Sequence, residues 1–214
     1  MHLAEGIITS PVVLGGGVLV ACGGVAMGLR KMDEAHALRT AVLGSGFFVA
    51  SLVHIPLFGV SVHLTLSGLL GVVLGWAAFP AVLVGLILQL GIFGFGGIST
   101  LGLNTCIMAI PAVVVHFGCR RAFGRPGSPK AWVGGVAGAL AVVLSACILA
   151  AILYTGGDPF LPAVWTVLLT HIPVIFLEGA VTAAAVVFLG RVSPELLAGH
   201  VVDSPDDVIE EEAA

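Results

Sequence analysis

From Thr40 to Cys119 the chain runs for 80 residues without an Asp, Glu, Lys or Arg. A soluble domain places a charge at about every fourth position, so a water-facing surface cannot be built from such a stretch. A second stretch, Ala131 to Gly190, carries only Asp158 and Glu178. Over the whole chain 58% of residues are hydrophobic and 9% charged, at a mean hydropathy of +1.16. A soluble enzyme is excluded, and an all-α membrane protein is expected. About twenty helical residues cross the hydrocarbon core of a bilayer, so the chain has length for one compact bundle.

The basic residues set the expected number and direction of the spans, because Lys and Arg collect on the cytoplasmic side. Pro11 to Leu29 is an uncharged stretch followed by Arg30 and Lys31, which reads as a first span ending inside. No basic residue precedes it, so no cleavable signal peptide is expected and the N-terminus is placed outside. Arg39 and the cluster Arg120, Arg121, Arg125 and Lys130 share the inner side, which requires an even number of spans between them. Four are expected, with turns at Pro56 to Val60, around Phe79-Pro80 and at Gly94 to Gly97. Lys130 and Arg191 bound two more, divided at Gly156-Gly157-Asp158-Pro159. The expectation is a seven-transmembrane-helix bundle over residues 1–191, N-terminus extracytoplasmic and C-terminus cytoplasmic. Residues 192–214 hold seven carboxylates and no basic residue, and are expected to form an acidic, solvated, disordered tail.

Small residues four apart, Gly17/Ala21 and Gly24/Gly28 in the first span and Ala137/Ala141 in the sixth, permit close helix approach. Packing within the bundle is the plainer reading and docking of another membrane subunit the sharper one. Cys22, Cys106, Cys119 and Cys147 are scattered without a CxxC pair and read as free packed thiols.

An ionisable side chain inside a membrane is costly and therefore a functional candidate. The intramembrane set is His54, His63, His116, His171 and Glu178. His116 is one turn from the basic loop, where an interfacial position explains it. His171 and Glu178 are seven apart, on one helix face but about 10 Å distant along the axis, so they do not pair directly. Gly94-Phe95-Gly96-Gly97 lacks the lysine of a phosphate loop and reads as an extracytoplasmic turn. No Walker motif is present, and ATP hydrolysis is not expected of this chain.

His2 carries the most specific chemistry. The amine of Met1, the amide nitrogen of residue 2 and the His2 imidazole close a five-membered and a six-membered ring in one plane once the amide proton is displaced. Planar nitrogen sets suit Ni(II) or Cu(II), and low-spin cobalt accepts a similar field. Histidine at position 3 would fill all four places by itself; at position 2 it leaves one place for a ligand from the bundle. The plain alternative is a histidine at a frayed terminus.

Together these residues resemble the CbiM/NikM family, the substrate-binding membrane components of cobalt and nickel energy-coupling factor (ECF) transporters. The resemblance is carried by Met1-His2-Leu3-Ala4-Glu5-Gly6, by Ile55-Pro56-Leu57 with Ser61-Val62-His63-Leu64, by Leu90 to Asn104, and by His171-Ile172-Pro173 with Glu178-Gly179. It spans Met1 to about Arg191. It implies a metal site made of the Met1 amine, the His2 amide and imidazole, and the His63 imidazole as fourth ligand. Ser61, Thr100 and Asn104 are candidate donors around those ligands. Phe95 departs from the histidine found in many relatives, which weighs against that loop position in metal capture. Co(II), or alternatively Ni(II), is implied as transported substrate for cobalamin biosynthesis, with no organic cofactor. The implied partners are an ECF transmembrane coupling subunit, two cytoplasmic ATPase subunits, a small accessory membrane subunit and membrane lipid, with no nucleic acid. The implied location is the bacterial cytoplasmic (inner) membrane. Two other readings use the same residues: a stand-alone proton-coupled carrier built on Glu178 and the interior histidines, and a structural membrane subunit.

Overall fold

The computed structural model describes residues 2–30, 32–57, 60–123 and 130–198. Helix α1 (Pro11–Arg30) and α2 (Glu34–Leu52) are followed by a two-stranded antiparallel hairpin, β1 (His54–Leu57) and β2 (Val60–His63). Then come α3 (Ser67–Leu74), α4 (Ala78–Phe93), α5 (Leu101–Phe123), α6 (Lys130–Tyr154), α7 (Leu161–Val192) and α8 (Glu195–Ala198). Single 3-10 turns, Gly75–Ala77 and Asp158–Phe160, lead into α4 and α7.

Among the described residues six helical stretches are long and apolar enough to cross a membrane: Pro11–Arg30, Glu34–Leu52, Ser67–Phe93, Leu101–Cys119, Lys130–Tyr154 and Asp158–Val192. Their outer faces carry Val12, Leu19, Trp132 and Phe176, each more than 70% exposed. Such faces are untenable against water and suited to lipid. The protein is a helical multi-pass membrane protein.

The difference between these six stretches and the seven expected spans lies in Ser67–Phe93. Its first part, α3, has eight residues, about 12 Å of helical rise, and the backbone then changes course at Gly75 (φ +55°, ψ −120°). A left-handed angle of this kind is one glycine adopts without strain, and any Cβ here would also meet the His116 ring at 2.8 Å. α3 runs in the same sense as α5, with Gly71 against Ala112 and Gly75 against His116. α4 runs in the same sense as α2, with Ala81 against Gly44, Gly85 against Phe47, and Gln89 donating to the Ser51 hydroxyl. The change of course therefore falls at Gly75–Ala77 and not at the expected Phe79-Pro80. Pro80 is the third residue of α4, where a first-turn proline displaces no helical hydrogen bond.

The hairpin is a second correction, because the bundle was expected to be helical throughout. Its register pairs His54 with His63, Ile55 with Val62, Pro56 with Ser61 and Leu57 with Val60. Pro56 lacks the N–H that a central strand would need, and a two-stranded ribbon tolerates it. The expected turn at Pro56 to Val60 lies within this hairpin, with residues 58 and 59 outside the described set.

Glycine and alanine set the helix spacing. On α1, Gly17 faces Leu103, Gly24 faces the Phe79 ring, and a Cβ at Gly28 would stand 2.6 Å from the Trp76 carbonyl oxygen. On α6, Ala137 and Ala141 are fully buried. Both small-residue faces are thus used for packing inside the bundle, the plainer reading. α6 and α7 lie antiparallel, with Gly134 against Val186 and Gly138 against Glu178 and Thr182. His116 is buried within the bundle, its Nδ1 2.9 Å from the Gly71 carbonyl oxygen. All four cysteines are free. α7 continues to Val192 and Leu197 of α8 is buried in the core; residues 199–214 of the acidic tail lie outside the described set.

Candidate metal centre

The N-terminal segment lies against the loop between α4 and α5 and the first turn of α5. Its anchor is Leu3, whose side chain is buried in the core. The Leu3 N–H donates to Asn104 Oδ1 at 2.8 Å, and Asn104 Nδ2 donates back to the Leu3 carbonyl oxygen at 3.0 Å. The Thr100 hydroxyl donates to that same carbonyl at 2.8 Å. Thr100 and Asn104 are one turn apart on the helix side, with Asn104 N–H closing on the Thr100 carbonyl, so both side chains point at the main chain of one residue. Both donate to the main chain of Leu3, the residue that follows His2.

Further along, Glu5 Oε2 accepts from the Ser99 N–H at 3.2 Å. Donation from the Ser99 hydroxyl and main-chain N–H holds the Glu5 carboxyl below its ordinary range. Gly97 is what lets the segment lie this close: a Cβ there would stand 2.9 Å from both Glu5 Cα and Glu5 N. The glycine-rich stretch, expected only as a turn, also makes room for the N-terminal segment. Its lack of phosphate-loop features was the available signal that its glycines serve close approach.

Asn104→Ala should leave the buried Leu3 N–H without its acceptor, at about 1–3 kcal/mol. The thermal unfolding midpoint in detergent should fall accordingly. Ser99→Ala, at the exposed end of the same segment, should change stability by less than about 0.5 kcal/mol.

The anchor places His2 against His63. The two imidazoles stack with centroids 4.7 Å apart and planes 20° from parallel. His63 is buried at the end of β2, with Nδ1 3.0 Å from the Leu64 carbonyl oxygen. A carbonyl only accepts, so Nδ1 carries the proton and the lone pair is on Nε2. Met1 lies outside the described residues. His54 and Ser61 are placed by the backbone alone, His54 directly across the hairpin from His63 and Ser61 two residues before it.

His171 and Glu178 are both buried on α7. His171 Nδ1 lies 2.6 Å from the Val167 carbonyl of its own helix, which assigns its proton to Nδ1. Glu178 reaches the segment after the hairpin, where Oε1 accepts from the Thr65 and Leu66 N–H groups and the Thr65 hydroxyl. Among the described residues no three His, Cys, Asp or Glu side chains gather as a metal cluster. Two imidazoles, those of His2 and His63, meet instead.

A lipid-faced bundle with this buried polar interior is a multi-pass membrane protein, and comparison with known proteins narrows the class to metal transport. The chain belongs to the CbiM family: the sequence profile described as the cobalt uptake substrate-specific transmembrane region matches residues 2–196. A Haemophilus influenzae protein named for metal transport is 40% identical over 92% of this chain and 97% of its own length. The cobalt transport protein CbiM of Geobacter sulfurreducens and the fused nickel transport protein NikMN of Rhodobacter capsulatus are each 30% identical over 92% of this chain. This chain spans 62% and 64% of those two relatives. A crystal structure of a transition metal transporter superposes with a TM-score of 0.76 at 22% identity, covering 94% of this chain and 98% of that one. That likeness establishes the fold.

Proposed function

We propose that this chain is the substrate-binding component of an ECF-type, ATP-driven metal importer in a bacterial cytoplasmic membrane. It captures Co(II) at the outer face for cobalamin biosynthesis, with Ni(II) as the alternative cargo. Four nitrogens in a plane hold the ion: the Met1 amine, the His2 amide and imidazole, and His63. The observation that carries this reading is the stacking of His2 on His63 beside a pinned Leu3 peptide.

The chain crosses the membrane seven times, with α3 and α4 as separate limbs joined at Gly75–Ala77. The parallel pairing of α3 with α5 and of α4 with α2 supports that count. Arg30 ends α1, Arg39 lies in the second turn of α2, Lys130 begins α6 and Arg191 lies in the last turn of α7. An inner side shared by these basic residues leaves the N-terminus outside. Energy comes from a membrane coupling subunit and two cytoplasmic ATPase subunits, with a small accessory membrane protein completing the assembly. The Glu178 hydrogen bonds to main chain favour this reading over a stand-alone carrier in which that carboxylate shuttles protons.

The test is elemental mass spectrometry of purified protein loaded with cobalt and nickel together. The expected result is about one planar-coordinated ion per chain, with the ratio ranking the two metals. His63→Ala should lower the affinity by at least about tenfold, since even a group supporting a ligand is worth that much. Equal metal in the wild type and His63→Ala would overturn the assignment.

A further inference from the structure

We infer that Glu178 is a positioning residue of the metal site: through the segment Thr65–Leu66 it holds His63 in place. This rests on His63 being a metal ligand.

The argument begins with the backbone that follows β2. Leu66 adopts φ +48° and ψ +18°, and among the described residues it is the one non-glycine with positive φ. A bulky side chain does not favour the left-handed region, so something outside the segment must favour this conformation. The Thr65 and Leu66 N–H groups converge on one point, an arrangement that binds anions. Glu178 Oε1 occupies that point, accepting from Leu66 N–H at 2.8 Å, from the Thr65 hydroxyl at 3.0 Å, and from Thr65 N–H. The carboxylate also stands beside the N-terminus of α3, where negative charge is favoured. Leu66 provides no side-chain cap to α3.

The grip is tight because nothing around it yields. Glu178 and Thr65 are fully buried. The Glu178 main chain is wedged against α6, since a Cβ on Gly138 would stand 2.5 Å from the Glu178 carbonyl oxygen. Between Thr65 and His63 there is one residue, and the Leu64 carbonyl is the acceptor that orients the His63 ring. Glu178 thus fixes the peptides that fix the ring, and it does so from α7, far along the chain. Its hydrogen bonds go to Thr65 and Leu66. Among the described residues its other oxygen, Oε2, has no hydrogen-bond partner, so the grip runs through one oxygen, and an amide oxygen could replace it.

The experiment measures metal loss to a strong chelator from nickel-loaded full-length protein, together with the visible band of the planar site. Glu178→Ala should speed dissociation by about 10–100-fold, the usual cost of removing a group that supports a ligand, and shift the band. Glu178→Gln, which still offers an acceptor, should stay within about threefold of wild type, its bonds being weaker than charge-assisted ones. Should Glu178→Ala not fold, Glu178→Asp carries the same expectation, because its carboxylate falls about 1.5 Å short of the segment. A purely structural role would lower the melting temperature of the metal-free protein and leave rate and band alone, which would overturn the inference. Equal losses in the Gln and Ala variants would also overturn it. A wild type that takes up no metal would overturn the metal-site reading and this inference together; a loaded wild type with an unchanged Ala variant overturns this inference alone.

Discussion

Replacing His2 with alanine should strip the protein of metal, weakening binding by more than about a hundredfold, because it removes a whole chelate ring as well as a donor. Inserting two alanines between Met1 and His2 should do the same although every donor type is retained. The imidazole then lies too many bonds from the amine for adjacent rings to close. A single inserted alanine is a different experiment. With histidine at the third position, the amine, two amides and imidazole fill the plane unaided, so that variant should hold nickel whether or not His63 is present. Metal content of these variants, each with and without His63→Ala, separates a terminal chelate completed by the bundle from one that merely sits near it. Retention of wild-type affinity by His2→Ala would move the search for the site to His54, His171 and Glu178.

The second large effect is expected at Gly138, in the interior. A methyl there would stand 2.5 Å from the Glu178 carbonyl oxygen and 2.6 Å from Thr182 Oγ1, and Gly68 of α3 packs directly on the Gly138 backbone. The nearest atom is a main-chain carbonyl oxygen, which no rotamer change moves, so α6 must back away from α7. Gly138→Ala should therefore destabilise by about 1–3 kcal/mol through overpacking, read as a lower unfolding temperature in detergent. Gly135, one turn earlier on α6, is the control. Its nearest neighbours would be 3.6 Å and 3.7 Å from an added Cβ, ordinary contact distances, and Gly135→Ala should be neutral or slightly stabilising because alanine favours helix. Equal losses at both positions would show that the α6–α7 spacing does not depend on Gly138.

Much of this architecture is legible from charge alone. The gap between Arg39 and Arg120 announces membrane spans because lipid tolerates no isolated charge there, and that rule has few exceptions. The small-residue faces of α1 and α6 are legible for a similar reason, since close approach needs absent side chains. Direction changes are harder. Gly75 is one of 30 glycines and nothing in its neighbours marks it, whereas Pro80 looks like a break and is accommodated in the first turn of α4. The hairpin hides because Val60 and Val62 alternate with Ser61 and His63 over only four residues, too few to outweigh an apolar context. The hydrogen bond of His116 to Gly71 is not legible, because nearness to a basic loop says nothing about which way a ring points.

At the candidate site, the histidines are legible by chemistry and their meeting by resemblance. The anchoring of Leu3 is not, because Asn104 and Thr100 recognise peptide atoms that every residue possesses. Glu178 stands out in the sequence as a carboxylate in a membrane helix, yet its partners are main-chain N–H groups that no side-chain pattern displays.

The Asn104–Leu3 pairing has a consequence for what this protein recognises in its own terminus. A carboxamide that gives and takes one hydrogen bond with the main chain of a single residue is blind to side-chain identity beyond the fit of the buried leucine. What it does register is spacing, since His2 is the residue next to the one held. If His2 and His63 share an ion as proposed, side chains beyond Leu3 can vary freely, while a residue gained or lost between Leu3 and the ligand shifts the ring against His63.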